Sequence, residues 1–391
     1  MPSRQALPFL LVAALFAPLG VIAPKALVPL LFIAGLWQLG LHWRQWRRVF
    51  QGQIAAMAGL IAAWALLSSL WALDAGGALT TFAKLAGVLL AMLILLYGVG
   101  RLDKADSQPL IRAMIWSFAG STLLLGMETI TDAAGHDWLV WQGRRAEFDL
   151  TVLNRAGTML LLGSWPVALV LWRQGFWQPA LLIAVAALVV VMMGVSSANQ
   201  AAVVLAVAGA IAAWFGGQMF LRVLALLMAI GVLVAPVLPT SWLAPQRMAS
   251  YIDVEHYSAL HRFHIWHFTA QRIAERPILG WGLDAARRIP GGDTKLPGGG
   301  HVMSVHPHNA SLQIWLELGI PGALLGAVLL AGICLRAGTL PDRAERVAAT
   351  GLILSGLAVG NLSFGIWQIW WIAALALSGL MFVLARTLKS G

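Results

Sequence analysis

The sequence predicts an all-α integral membrane protein of about twelve transmembrane helices, with one long loop on the outer side that itself contains helices. Three observations predict it. First, 60% of the 391 residues are hydrophobic and only 11% are charged, roughly half the charge fraction of an ordinary soluble chain. Second, the mean hydropathy is +0.80, and apolar runs recur from end to end at about the 20 residues a helix needs to cross hydrocarbon. Third, these runs lack the ten-residue alternation of a membrane barrel. The backbone therefore satisfies its hydrogen bonds within helices.

The expected spans lie near 7–23, 25–41, 54–73, 81–100, 110–128, 152–172, 179–195, 199–216, 220–239, 311–335, 346–362 and 366–386. Arg4 followed by Leu7 to Ala23 imitates a signal peptide, but another apolar run follows at once, so this first helix is expected to be retained. In the span that begins near 311, Gly319-Ile320-Pro321-Gly322 is expected to interrupt the helix, because proline lacks the N–H and clashes with the preceding turn. This gives three regions: a bundle of about nine helices over 1–239, a loop over 240–309 carrying the active site, and about three helices over 310–391. No internal repeat of the kind common in secondary transporters is evident.

The net charge of +10 does not mark a nucleic-acid partner, because the cations are spread over short loops rather than gathered on one face. With both termini inside, fourteen Lys/Arg residues fall on the inner side and five in the short outer segments. The positive-inside rule, which disregards long loops, then places the 240–309 loop in the periplasm. Two other polar intervals share that side. One is 129–155, with His136, Asp137, Arg144, Arg145, Glu147, Asp149, Asn154 and Arg155; the other is Ser196-Ser197-Ala198-Asn199-Gln200. The single cysteine, Cys334, lies in an apolar run and excludes an intramolecular disulfide or cysteine metal site.

Seven of the nine histidines lie in the long loop, so water-facing chemistry is expected there. Ser258 to Glu275 reads as a helix with Ser258 as cap and Pro277 as stop. On it Arg262, Trp266, Thr269, Ile273 and Arg276 share one face, while His261, His264 and His267 drift around the other. Alternatively this is an interfacial helix whose Arg and His residues sit among membrane lipid headgroups. Next come Pro277-Ile278-Leu279-Gly280-Trp281-Gly282, Arg287-Arg288 and a glycine-rich run, Gly291 to Gly300, that reads as a disordered loop or a mobile lid.

The loop closes with His306-Pro307-His308-Asn309 directly before a helix. A histidine there can be kept neutral as a base, and Asn309 can cap the helix or hold the imidazole. Zinc is the competing reading of the His261/His264 and His306/His308 spacings, with Asp253, Glu255 and Asp284 available, but no zinc motif is present. The surplus of arginine suits an anionic ligand such as a diphosphate, with Arg155, Arg262, Arg276, Arg287 and Arg288 as its contacts. Arg155 opens a span, where a charge is costly unless it faces a cavity.

The order of an Arg-bearing helix, Pro277-x-x-Gly280-x-Gly282, a loop, and then His308-Asn309-x-x-Leu312-Gln313-x-x-x-Glu317-x-Gly319-x-x-Gly322 resembles the O-antigen ligase and polymerase superfamily of bacterial envelope glycosyltransferases. The resemblance is strong over about 258–335 and adds only hydrophobicity in the N-terminal third. It implies a metal-independent transferase of the inner membrane, without cofactor. Such an enzyme takes a glycan from an undecaprenyl-diphosphate donor and gives it to lipid A-core (a ligase) or to a second carrier-linked glycan (a polymerase). The ligase is favoured by the tight His306-Pro307-His308-Asn309 run and the compact chain. A protein O-oligosaccharyltransferase and, from another class, a lipid-linked saccharide transporter or flippase are the alternatives.

The resemblance further implies catalytic roles for His308 and Arg262, with His306 beside them. Arg155, Arg288, Arg287 and Arg276 would bind the diphosphate, and Asn309, Asn199, Gln200 and His264 would support the site. Many members carry an arginine where this chain has Asn199 and Gln200; Arg155 or Arg288 is expected to replace that charge, the alternative being that one phosphate contact has become a neutral hydrogen bond.

Overall fold

The computed structural model describes residues 2–132, 134–136, 153–251, 257–296, 300–303 and 305–388. Outside that description lie Asp137, Arg144, Arg145, Glu147 and Asp149, then Asp253 and Glu255, part of the glycine-rich run, and the side chains of His136 and Ser258.

Helices of sixteen residues or more carry the fold: α1 (Leu7–Ile22), α2 (Leu27–His42), α3 (Gln53–Ser68), α4 (Ala75–Val99), α5 (Ser107–Ile130), α6 (Asn154–Arg173), α7 (Trp177–Met193), α8 (Ser197–Val234), α9 (Tyr257–Glu275), α10 (Ala310–Gly338), α11 (Arg343–Leu362) and α12 (Ile369–Thr387). Among the described residues there is no strand, only one bridge between Lys295 and His301. Among the described residues, eight helical stretches are long and apolar enough to cross a membrane, and α1 and α7 are apolar but shorter. The chain is an all-α membrane protein.

Two glycines decide where long helices break. A straight α8 of 38 residues would measure about 57 Å, nearly twice the hydrocarbon thickness of roughly 30 Å. Gly217, at φ 52° and ψ −135°, divides it into the two expected spans. Gly319, at φ 60° and ψ −159°, breaks α10 just before Pro321, where an interruption was expected.

The main core joins α1, α2, α4 to α8, α11 and α12 around Phe9, Phe16, Leu31, Leu95, Phe118, Leu161 and Trp371. At one end of the bundle, buried Glu345 is gripped by Arg173 and by Arg386, whose Nε lies 2.9 Å from its carboxylate. At the other end the segment between α8 and α10 builds a second apolar core. Ile265, Trp266, Phe268, Ile273, Trp281 and Ile289 pack there with Leu312 and Leu316 from the first turns of α10.

Backbone contacts lock this segment onto the bundle. The N–H groups of Trp281 and Gly282 donate to Leu316 O and Glu317 O at 2.8 and 2.9 Å, and that of Ile320 donates to Pro277 O at 3.0 Å. Such an approach requires glycine on both sides. At Gly280 (φ +70°) a Cβ would lie 2.6 Å from the Glu317 carbonyl carbon, and at Gly319 it would lie 2.2 Å from Ile278 O. The N-terminal helices grip the same segment, with Trp64 Nε1–H donating to Leu318 O at 3.0 Å.

Candidate active site

His308 sits at the turn into α10 with φ +53°, a left-handed conformation that costs a non-glycine residue about 1–3 kcal/mol and persists only where the surroundings enforce it. Here they do. Trp266 Nε1–H donates to Pro307 O at 2.9 Å, and Asn309 Oδ1 caps α10 by accepting from Leu312 N–H at 3.0 Å. Of the two roles expected for Asn309, the structure shows the cap.

His308 Nδ1 lies 2.5 Å from the carbonyl of Ser363, at the end of α11. A carbonyl only accepts, so Nδ1 carries the proton and Nε2 is left with its lone pair. Burial holds the imidazole below its ordinary pKa, Arg262 and His261 push it further down, and the Ser363 bond opposes them. The ring is therefore neutral at physiological pH.

His306 stands beside it, the two rings 4.2 Å apart. Its Nδ1 accepts from the His308 N–H at 3.2 Å, and the Gln368 amide lies 3.0 Å from Nε2. Burial, and then the neighbouring His308 and Arg287, bring its pKa down to about 3. His306 is buried, and its Nδ1 lone pair is taken up by the His308 N–H, which braces the turn that carries His308.

Arg262 makes no hydrogen bond or ion pair with another described residue; it lies close enough to lower the pKa of His308, and burial lowers its own pKa. A partly dehydrated guanidinium beside a neutral imidazole is prepared to meet an anion.

Behind His306 a cavity of about 710 Å³ opens between the start of α4, the turn at 284–288 and the start of α12. Lys84, Arg287, Arg288, Asp74, Asp284 and Trp367 are among the side chains lining it. Arg288 Nε pairs with Asp74 at 2.8 Å and Arg287 Nε with Asp284 at 3.0 Å. Arg155 lies with its guanidinium carbon 5.4 Å from the ring centre of Trp370, which also lines the cavity.

Fully buried Glu317 fixes this wall. Its carboxylate accepts from Asp284 N–H and Trp367 Nε1–H at 2.5 Å each, from Gln313 Nε2 at 3.0 Å and from Ala286 N–H at 3.4 Å. Gln313 Oε1 in turn accepts from Ile366 N–H at 3.0 Å. The motif residues Gln313 and Glu317 thus tie the arginine-bearing turn to the segment joining α11 and α12.

Not every expected contact gathers here. Arg276 shares a face with Arg262, but fourteen residues of helix separate them by about 21 Å. Its guanidinium stacks 4.1 Å from the Trp281 ring centre and does not line the cavity. His264 stays on α9, its pKa lowered by burial and by the neighbouring His261 and His267. Asn199 is buried and bound at both ends of its amide, donating to Asn154 O at 2.8 Å and accepting from Thr158 Oγ1 at 2.8 Å. Gln200 donates to Met192 O and Gly194 O. Both tie helix ends together.

Conversely, Asp74, Thr81 and Lys84 belong to the third of the chain in which the sequence showed only hydrophobicity. The one signal was an Asp-Ala-Gly-Gly stretch at the outer end of a span, which proves to cap α4 through Asp74.

Residues 183–327 match the family described as O-antigen ligase. Proteins from Rickettsia conorii and Rickettsia felis, both named "putative polysaccharide ligase", are each 27% identical to this chain. The alignments cover 81% of this chain in both cases, and 75% and 76% of those proteins. The matched stretch runs from α7 through the loop to the first half of α10 and includes His308, Arg262, Gln313 and Glu317. Over this stretch the chain is similar to the O-antigen ligase family, and over most of its length it is similar to proteins named as polysaccharide ligases.

Proposed function

We propose that the protein is an O-antigen ligase that transfers a glycan from undecaprenyl diphosphate to a sugar hydroxyl of lipid A-core, at the periplasmic face of the inner membrane. The observation that carries this reading is the fixed tautomer of His308. With Nδ1–H held on Ser363 O, the Nε2 lone pair beside Arg262 can take the proton of an acceptor hydroxyl.

The acceptor oxygen then bonds to the anomeric carbon while the bond from that carbon to the diphosphate oxygen breaks on the opposite face, inverting the configuration. The proton rests on His308 Nε2 until it passes to solvent or to the departing diphosphate. Arg262, with Arg155 and Arg288, balances the charge that develops on the leaving group, and Arg287 and Lys84 add to the same field from the cavity. Because the Asn199 amide is already committed to Asn154 and Thr158, Arg155 or Arg288 is favoured over Asn199 as the replacement for the missing family arginine. The cations inside the opposite end of the bundle, Arg173 and Arg386 among them, agree with a cytoplasmic placement of both termini.

The test is reconstitution of the purified protein in detergent with undecaprenyl-diphosphate-linked glycan, rough lipopolysaccharide and EDTA, with His308→Ala alongside. A lipopolysaccharide ladder made by the wild type alone supports the ligase. Lengthening of the carrier-linked glycan instead replaces the ligase with a polymerase, and the absence of both products refutes the transferase.

A further inference from the structure

The cavity holds more than a diphosphate requires. Three cations (Lys84, Arg287, Arg288) face two carboxylates (Asp74, Asp284), so its net formal charge is 3 − 2 = +1. Carboxylates repel phosphate, and a site built for diphosphate alone is better without them. Asp284 also carries the Thr81 hydroxyl at 3.1 Å, so acceptor and donor groups stand together on one wall.

Two indoles also line the cavity, and each has its N–H edge tied to a protein acceptor. Trp367 gives its N–H to Glu317 and Trp370 gives its N–H to Gln368 Oε1 at 3.0 Å. What these rings offer the cavity is their carbon surface. Trp367 is only half-buried, and the bond to a fully buried carboxylate holds its orientation. An apolar ring surface in the same cavity as carboxylate and hydroxyl groups is the complement of a pyranose, which has a C–H face on one side and hydroxyls around its rim.

The geometry points to a glycosyl subsite in this cavity, in which Trp367 is the platform for the donor sugar next to the diphosphate and Asp284 accepts that sugar's hydroxyls. This rests on the proposed use of a lipid-diphosphate donor and adds which residues read its sugar. Trp367 then discriminates between glycan-linked and sugar-free carrier, whereas Arg287 and Arg288 serve both.

The experiment measures binding of two probes, undecaprenyl diphosphate and undecaprenyl-diphosphate-linked glycan, to protein carrying His308→Ala so that no turnover occurs. Trp367→Leu and Trp367→Phe are compared in that background, with Asp284→Asn as a third variant. The expected result is that Trp367→Leu weakens binding of the glycan-linked probe about tenfold, the equivalent of one well-packed aromatic contact. Binding of the sugar-free probe should change less than about twofold. Trp367→Phe, which keeps a ring and loses the bond to Glu317, should retain most of the preference. If Trp367→Leu weakens both probes equally, Trp367 is only a structural support and the subsite is overturned while the diphosphate reading stands. If the unsubstituted background binds neither probe, the donor assignment itself falls.

Discussion

Replacing Glu317 by alanine should release the turn that carries Arg287 and Arg288. The magnitude follows from the four donors that converge on its carboxylate. The bond to Ala286 N at 3.4 Å is weak, leaving three strong ones from Asp284 N, Trp367 Nε1 and Gln313 Nε2. A buried donor stripped of its acceptor costs about 1–3 kcal/mol. Only the Gln313 donor is fully buried and the other two are half-buried, so the three together cost toward the lower end of about 3–9 kcal/mol. A typical domain is stable by only about 5–15 kcal/mol in total, so local undocking of the 280–288 turn is less costly than keeping those donors dry.

Glu317→Gln retains the shape and one acceptor oxygen but points an NH2 at two of the donors, and should lose roughly half as much. The assay is limited trypsin digestion in detergent micelles, followed by mapping of cleavage after Arg287 and Arg288, with thermal unfolding measured in parallel. Wild type should resist, Glu317→Ala should be cut rapidly at these two arginines, and Glu317→Gln should fall between. A Glu317→Ala protein with unchanged cleavage and an unchanged Tm refutes the argument that this carboxylate holds the wall together.

Further outcomes follow from the same geometry. His308→Ala should abolish transfer and leave donor binding within about twofold, as measured by turnover and by equilibrium binding of the donor. The base works unprotonated, and burial with Arg262 keeps its pKa below 6.5. Activity should therefore persist as pH falls from 7 to about 6.5 and be lost only below that. Arg262→Gln should move this acid limb upward, and a limb that stays in place speaks against the coupling. Gly280→Ala should prevent accumulation of folded protein, because its φ is +70° and the new Cβ would collide with the Glu317 backbone. Gly120→Ala, which meets nothing within 4 Å, should be neutral, and size-exclusion profiles of the two compare them directly. Asn199→Ala should lower the Tm, because the Thr158 hydroxyl and Asn154 carbonyl lose their partner, at about 1–3 kcal/mol.

The sequence by itself determined the helices, the breaks at Gly319 and near Gly217, and the segment in which His308 and Arg262 lie. These are local properties. Hydropathy over about 20 residues decides a span, proline and glycine decide where it bends, and polar residues collect where the chain leaves the apolar core. The same locality leaves open how far apart Arg276 and Arg262 lie, because sharing a helical face says nothing about the rise that separates them.

Tertiary structure alone decided the chemistry of the site. The tautomer of His308 depends on Ser363, 55 positions away, and the grip on the loop depends on Trp64, 254 positions from Leu318. The cavity pairs Arg288 with Asp74 from a third of the chain that reads as uniform apolar helix. No periodicity carries such pairings, since they arise from which helix ends meet when the bundle closes. Glu317 shows the division most clearly. Its place in the motif is legible in the chain, but its work as the acceptor for the turn at 284–286 and for Trp367 exists only once those segments pack around it.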